Sequence, residues 1–117
     1  MNVDFVREYC LSFPHSTESL QWGETLCFKI GAKGKIFAML SLDAVPPQLS
    51  LKTTPERFAE LTEIEGIVPA RYVGRYKWVT LEPLDLLPAC ELKELIQNSY
   101  DMVVKRVPAK KRPRKKP

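Results

Sequence analysis

The sequence predicts an α+β fold, an antiparallel sheet with helices packed on one face, followed by a disordered basic C-terminal tail. Three observations predict it. Amphipathic segments at helical spacing stand near both ends of the body, over 3–11 and 89–104. Between them, short apolar runs recur, several of them alternating, and Gly or Pro separates them. From Lys105 onward, eight Lys and Arg stand among prolines with no acid, a composition that cannot bury a core. The division expected is a domain over 1–107 and a tail over 108–117.

The elements follow in order. "VDFVREYCL" sets Phe5, Val6, Tyr9 and Cys10 on one side of a helix, with Asn2 placed to cap it and Phe13-Pro14 placed to stop it. A polar loop comes next. "TLCFKI" alternates, Leu26, Phe28 and Ile30 opposing Cys27 and Lys29; "GAKGK" makes a turn, and "IFAMLSL" returns as the second arm of a hairpin with Lys33 and Lys35 at its tip. "QLSLKT" supplies a third strand with Leu49 and Leu51 inward. "TTPERFAEL" announces a helix, with Thr54 as cap, Pro55 at the first position, Glu56 in the first turn, and a stop at Gly66. "IVPARYVGRY" reads as an irregular basic and aromatic segment before the strand "KWVTLE". The last helix, 89–104, turns Leu92, Leu95, Ile96, Ser99 and Val103 inward.

Charge is divided along the chain. Eight of the 18 Lys and Arg lie from Lys105 on, so the remaining ten face all 14 acids and residues 1–104 carry about −4. The pI near 9.0 therefore belongs to the tail, and overall basicity does not make the body a nucleic-acid binder. Cys10, Cys27 and Cys90 are odd in number and lack CxxC spacing, which argues against a disulfide framework or a zinc site and for buried thiols in a reducing compartment. No run approaches the roughly 18 apolar residues of a membrane helix, and the N-terminus does not read as a signal peptide. A cytoplasmic protein is expected, with no membrane partner.

Particular strings carry a resemblance. "SFPHSTESLQWGETLCFKIGAKGKIFAML", "LSLKTTPERFAEL", "GIVPARYVGRYKWVTLE" and "LKELIQNSYDMVVKRV" stand in the order and spacing of the YjbR/MmcQ family. Its most specific pieces are Trp22-Gly23, "LK..PE" at 51–56, "PA.Y" at 69–72, Trp78 and "SY..V" at 99–103. The chain resembles that family from about Phe5 to Val107. "FPHST" departs from it, many members having Gly after the Pro. The resemblance implies a bacterial protein with a CyaY-like α+β fold, a double wing of β-hairpins and a DNA-binding role. The polycationic tail is no part of the family's common pattern.

Three classes of chemistry are open to a chain of this composition. For catalysis, the single histidine, His15, has no motif-placed partner, and "GAKGK" lies in a hairpin rather than between strand and helix, so no enzyme is expected. For metal, the CyaY-like resemblance suggests a frataxin-like carboxylate ridge, but only Asp4, Glu8, Glu18 and Glu24 are available and they are scattered; no cofactor is expected. Nucleic acid remains. Lys29, Lys33 and Lys35 belong to the hairpin, while Arg71, Arg75 and Lys77 interleave with Tyr72, Tyr76 and Trp78. Tyr72 and Trp78 also fit a core role, preferred for Trp78 because its strand alternates. An RNA-recognition motif is excluded, since "KGKIFAML" offers one aromatic where that motif needs several.

The tail candidates are Lys105, Arg106, Lys110, Lys111, Arg112, Arg114, Lys115 and Lys116. Lysine at phosphate gives affinity without base readout. The sequence thus predicts a non-catalytic, monomeric protein binding DNA rather than RNA. The competing expectations are a protein-interaction module and, behind it, the metal carrier.

Overall fold

A computed structural model describes residues 2–31 and 34–106. The first helix, α1 (Val3–Leu11), begins where the Asn2 side-chain oxygen accepts the Phe5 amide at 2.9 Å. The second, α2 (Pro55–Leu61), is capped by the Thr54 hydroxyl, which accepts the Arg57 amide, and has Pro55 at its start. The third, α3 (Ala89–Val104), buries Leu92, Leu95, Ile96, Ser99, Tyr100 and Val103, the inward stripe its spacing predicted plus one tyrosine.

Six strands make one antiparallel sheet: β1 (Ser16–Gln21), β2 (Thr25–Ile30), β3 (Ile36–Ser41), β4 (Gln48–Lys52), β5 (Ile67–Pro69) and β6 (Trp78–Leu81), in the order β1-β2-β3-β4-β6-β5. The polar stretch 16–21, which reads as a loop, and 67–69, which reads as part of an irregular segment, are both strands, β1 and β5. They are the two edges. The α2 helix closes at Leu61, before the expected stop; Gly66, at φ +97°, instead turns the chain into β5.

Register explains which face is covered. Leu26 pairs Leu40, which pairs Leu49, which pairs Leu81; Phe28, Ala38, Leu51 and Val79 form the next row. All but the half-buried Leu26 are buried, and they join Val6 of α1, Leu61 of α2 and Leu92 of α3 in one core. Each large side chain so buried contributes about 1.5–3 kcal/mol. All three helices therefore share one side of the sheet.

Alternation fails at one point. Phe28 faces Ala38 but Lys29 faces Ile36, so Phe37 is an extra residue on β3, a bulge. It lets Phe37 and Ala38 both turn inward. Phe37 then meets Phe13 and Tyr100 edge-on, with centroids at 5.8 and 5.2 Å. The Ser99 hydroxyl donates to the Phe37 carbonyl at 2.6 Å and accepts the Lys52 amide at 3.0 Å. Tyr100 donates to the Pro14 carbonyl at 2.7 Å, fastening α3 to the segment after α1.

The thiols divide as burial dictates. Cys10 is fully buried and burial pushes its thiol up to about 12; burial also raises Cys27, against a smaller opposing pull from Lys29. Cys90 is exposed. At pH 8, a thiol reagent should modify one cysteine per folded chain rapidly and all three after denaturation. Fast modification of two in the native state would contradict this packing.

Candidate nucleic-acid interface

The topology sorts charge by the ends of the strands. At one end lie the α1–β1 loop, the β2–β3 connection, the β4–α2 junction, the β5–β6 connection and the C-terminus of α3. His15 O and Gly31 N are bonded there at 2.7 Å, and Thr53 N reaches Lys77 O at 2.8 Å. Among the described residues, these segments and the strand ends feeding them bring Lys29, Lys35, Lys52, Arg71, Arg75, Lys77, Lys105 and Arg106, with Asp101 of α3 beside Lys52 and Lys105 and Glu56 opening α2 as the acids next to them. The opposite end holds the β1–β2 turn, the β3–β4 connection, the α2–β5 loop and the β6–α3 connection. Among the described residues it carries Glu24, Asp43, Glu63, Glu65, Glu82 and Asp85, and no Lys or Arg. A body that is negative as a whole thus has a positive pole.

Two strand-end lysines, Lys77 and Lys52, meet the C-terminus of α3 at this end. Lys77, at φ +68°, closes the 3-10 turn Gly74–Tyr76 and places its ammonium 5.0 Å from the Phe58 ring centroid. It borders a cleft of about 450 Å³ with Lys52, Lys105 and Arg106. Lys52 donates to the Tyr76 carbonyl at 3.1 Å, and its ammonium is held below its ordinary pKa by burial first and by the Arg106 charge second. An anion arriving here would restore that proton affinity.

Arg71 takes the other side of the same connection, while Arg75 rests on Tyr76, which lines the cleft with Lys77. The Arg71 guanidinium lies 5.6 Å from the Tyr72 centroid, and that of Arg75 lies 4.8 Å from Tyr76. The basic and aromatic group expected at 71–77 is therefore split between two faces. Lys29 projects from the helix-free face, opposite Phe28 and Ile30. Lys33, Lys110, Lys111, Arg112, Arg114, Lys115 and Lys116, like the whole of 108–117, lie outside the described residues. The sequence follows on from α3, whose C-terminus is at the cationic end.

The aromatics divide too. Trp78 is buried, while Tyr76 is half exposed and Tyr72 is 89% exposed, so the core role that also fitted Tyr72 does not hold. Tyr72 instead borders an open groove of about 820 Å³ on the helix-free face. Thr25, Met39, Ser41, Gln48, Ser50 and Thr80 form its floor, and Trp22, 67% exposed, stands on the rim. Trp22 (φ +49°) and Tyr72 (φ +66°) are both held in left-handed backbone, which costs a non-glycine residue about 1–2 kcal/mol.

Sequence reasoning missed Lys52 and this groove. Lys52 is a single cation ending a strand, and only tertiary packing, with its amide donating to Ser99 of α3, sets it beside that helix's last turn. The groove's two aromatics stand 50 residues apart, although both belong to the strings that carried the family resemblance.

The metal expectation can be placed as well. Glu18 is engaged by Arg7, whose Nε donates at 2.8 Å, and this pairing raises the Arg7 pKa further. Among the described residues, no three His, Cys, Asp or Glu side chains are grouped so as to hold a metal ion, and no helix is long and apolar enough to cross a membrane.

Comparison with known proteins agrees with this architecture. The YjbR proteins of Escherichia coli K12 and of Escherichia coli O157:H7 are each 29% identical over 116 residues, covering 96% of this chain and 95% of theirs. The crystal structure of Deinococcus radiodurans protein DR2400 superposes with a TM-score of 0.84 at 34% identity, over 94% of this chain and 84% of that one. A Pseudomonas syringae protein of 23% identity shares the fold, with a TM-score of 0.74 over 88% of this chain and 99% of its own. The YjbR family model matches residues 11–102, from the end of α1 almost to the end of α3 and across the whole sheet with its cationic end; the chain belongs to the YjbR family.

Proposed function

We propose that this chain is a non-catalytic, cytoplasmic DNA-binding protein that acts as a monomer and holds duplex DNA by its phosphates. The observation that carries the reading is the segregation of charge: one end of the sheet gathers eight cations against the two neighbouring acids Glu56 and Asp101, and the tail follows in sequence from that end. The β2–β3 and β5–β6 connections serve as the two wings of a CyaY-like arrangement, bringing Lys29, Lys35, Arg71 and Arg75 to the backbone. Lys52, Lys77, Lys105 and Arg106 form the seat between wing and α3. The residues from Lys105 to Lys116 supply most of the affinity, and because ammonium and guanidinium on phosphate read no sequence, preference among duplexes is weak.

The test is a labelled-duplex titration at several salt concentrations with the full chain and with a chain ending at Val107. The full chain should bind with a steep salt dependence. Removing Lys110, Lys111, Arg112, Arg114, Lys115 and Lys116 should lower the slope of log K against log salt by up to about 5, at roughly 0.9 per phosphate contact. Charge reversal at Arg71 and Arg75 should weaken what remains. Undiminished binding without the tail contradicts this division of labour, and no binding by either chain at low salt returns the fold to the protein-interaction reading.

A further inference from the structure

The groove on the helix-free face adjoins the cationic end through Arg71. We infer that it takes unstacked bases of single-stranded DNA, so that the protein binds unpaired strands more tightly than duplex. The inference rests on the proposed nucleic-acid reading and adds a second site to it.

Chemistry of the groove carries the argument. A base offers a flat apolar face and an edge with both donors and acceptors. Trp22 and Tyr72 offer exposed rings on the groove's rim, set there by left-handed backbone rather than by burial. Base–aromatic stacking tolerates sequence because every base has a π-face. The floor offers hydroxyls, with Ser50 and Thr80 bonded to each other at 2.8 Å across the β4–β6 pair. A hydroxyl rotates to donate or accept, which suits a base edge of either pattern. Met39 and Val68 give an apolar surface that accommodates the thymine methyl.

Charge complementarity chooses the occupant. Arg71 borders the groove and belongs to the cationic end, so a strand with phosphates on that end has its bases within reach of Tyr72. Glu82, which lines the groove just past the end of β6 and away from Arg71, repels phosphate and favours the base as the group placed there. An aromatic or apolar peptide would match the rings but would not call for the adjoining cations.

The probe is a 12-mer of deoxythymidylate, which has no duplex form of its own, compared with a 12-base-pair duplex at equal salt. Trp22 is exposed and Trp78 buried, so quenching of the fluorescence reports the groove. The single strand should quench and should bind several-fold more tightly than duplex. Trp22→Ala and Tyr72→Ala should each weaken it about five- to a hundredfold, the span expected for one stacked base. Duplex binding should stay within about twofold. Trp22→Leu, which keeps apolar bulk without a large ring, should lose nearly as much as the alanine, and unchanged thermal melting will show that each variant folds.

If both alanine variants bind the single strand like the parent while charge reversal at Arg71 and Arg75 still weakens duplex, the groove assignment is overturned and the cationic end stands. If the parent chain binds neither probe, both readings fall together. A uridylate 12-mer, which lacks the methyl and carries a 2′-hydroxyl, should bind more weakly; equal or tighter binding overturns the assignment to DNA.

Discussion

Phe37→Ala should destabilise the fold by about 3–5 kcal/mol, the usual cost of truncating a fully buried aromatic. For a domain of this length, that corresponds to a fall in Tm of roughly 12 °C or more. The upper part of the range is expected because neighbouring rings cannot refill the space. Phe13 and Tyr100 stack on each other at 4.6 Å and both present edges or faces to Phe37, while Tyr100 is held in place by its bond to Pro14. A cavity bordered by tethered rings collapses poorly. Calorimetry or urea unfolding measures the loss. A cost below about 1.5 kcal/mol, the range of a well-tolerated swap, would mean that Phe37 is not the centre of this cluster.

Ser99→Ala is the second large effect, and it reaches the same place from the polar side. The hydroxyl serves two backbone groups, the Phe37 carbonyl and the Lys52 amide. Both sit where a ladder is interrupted or ends: Phe37 is the bulged residue of β3, and the β3–β4 pairing stops at Leu51. Removing the hydroxyl leaves a buried acceptor and a donor without it, at about 1–3 kcal/mol each. The expected loss is about 2–4 kcal/mol. Amide exchange separates this from a general weakening, because Lys52 should lose protection well beyond its neighbours in β4. Ser99→Cys, of similar shape but a poorer hydrogen-bonding group, should fall between parent and alanine. An unchanged Lys52 amide would refute the tether.

These two residues also mark the limit of sequence reading. The α3 stripe was legible because 3.6-residue spacing repeats over four turns, and Ser99 was placed inward by that spacing alone. The role of Ser99 was not legible, since it depends on a bulge 62 residues away. β1 was hidden for a related reason. "STESLQ" has no apolar alternation because an edge strand buries little on either side, and the same weakness hid the three-residue β5. The cationic candidates were legible singly as Lys29, Lys35, Arg71, Arg75 and Lys77, but their gathering at one end follows from strand order, which spacing does not encode. Trp22 and Tyr72 were visible as motif residues and invisible as neighbours of one groove. Left-handed backbone at a non-glycine residue has no signature in a single sequence.

The sorting of acids and bases to opposite ends of the strands gives the folded body a lengthwise electric moment although its summed charge is modest. A polyanion therefore exerts a torque on the molecule before any side chain touches it, turning the basic pole forward and the acidic pole away. Encounter becomes an alignment followed by a landing. Dissolved salt, by screening within about 8–10 Å, should slow arrival by erasing that rotation as well as by weakening the contacts that follow.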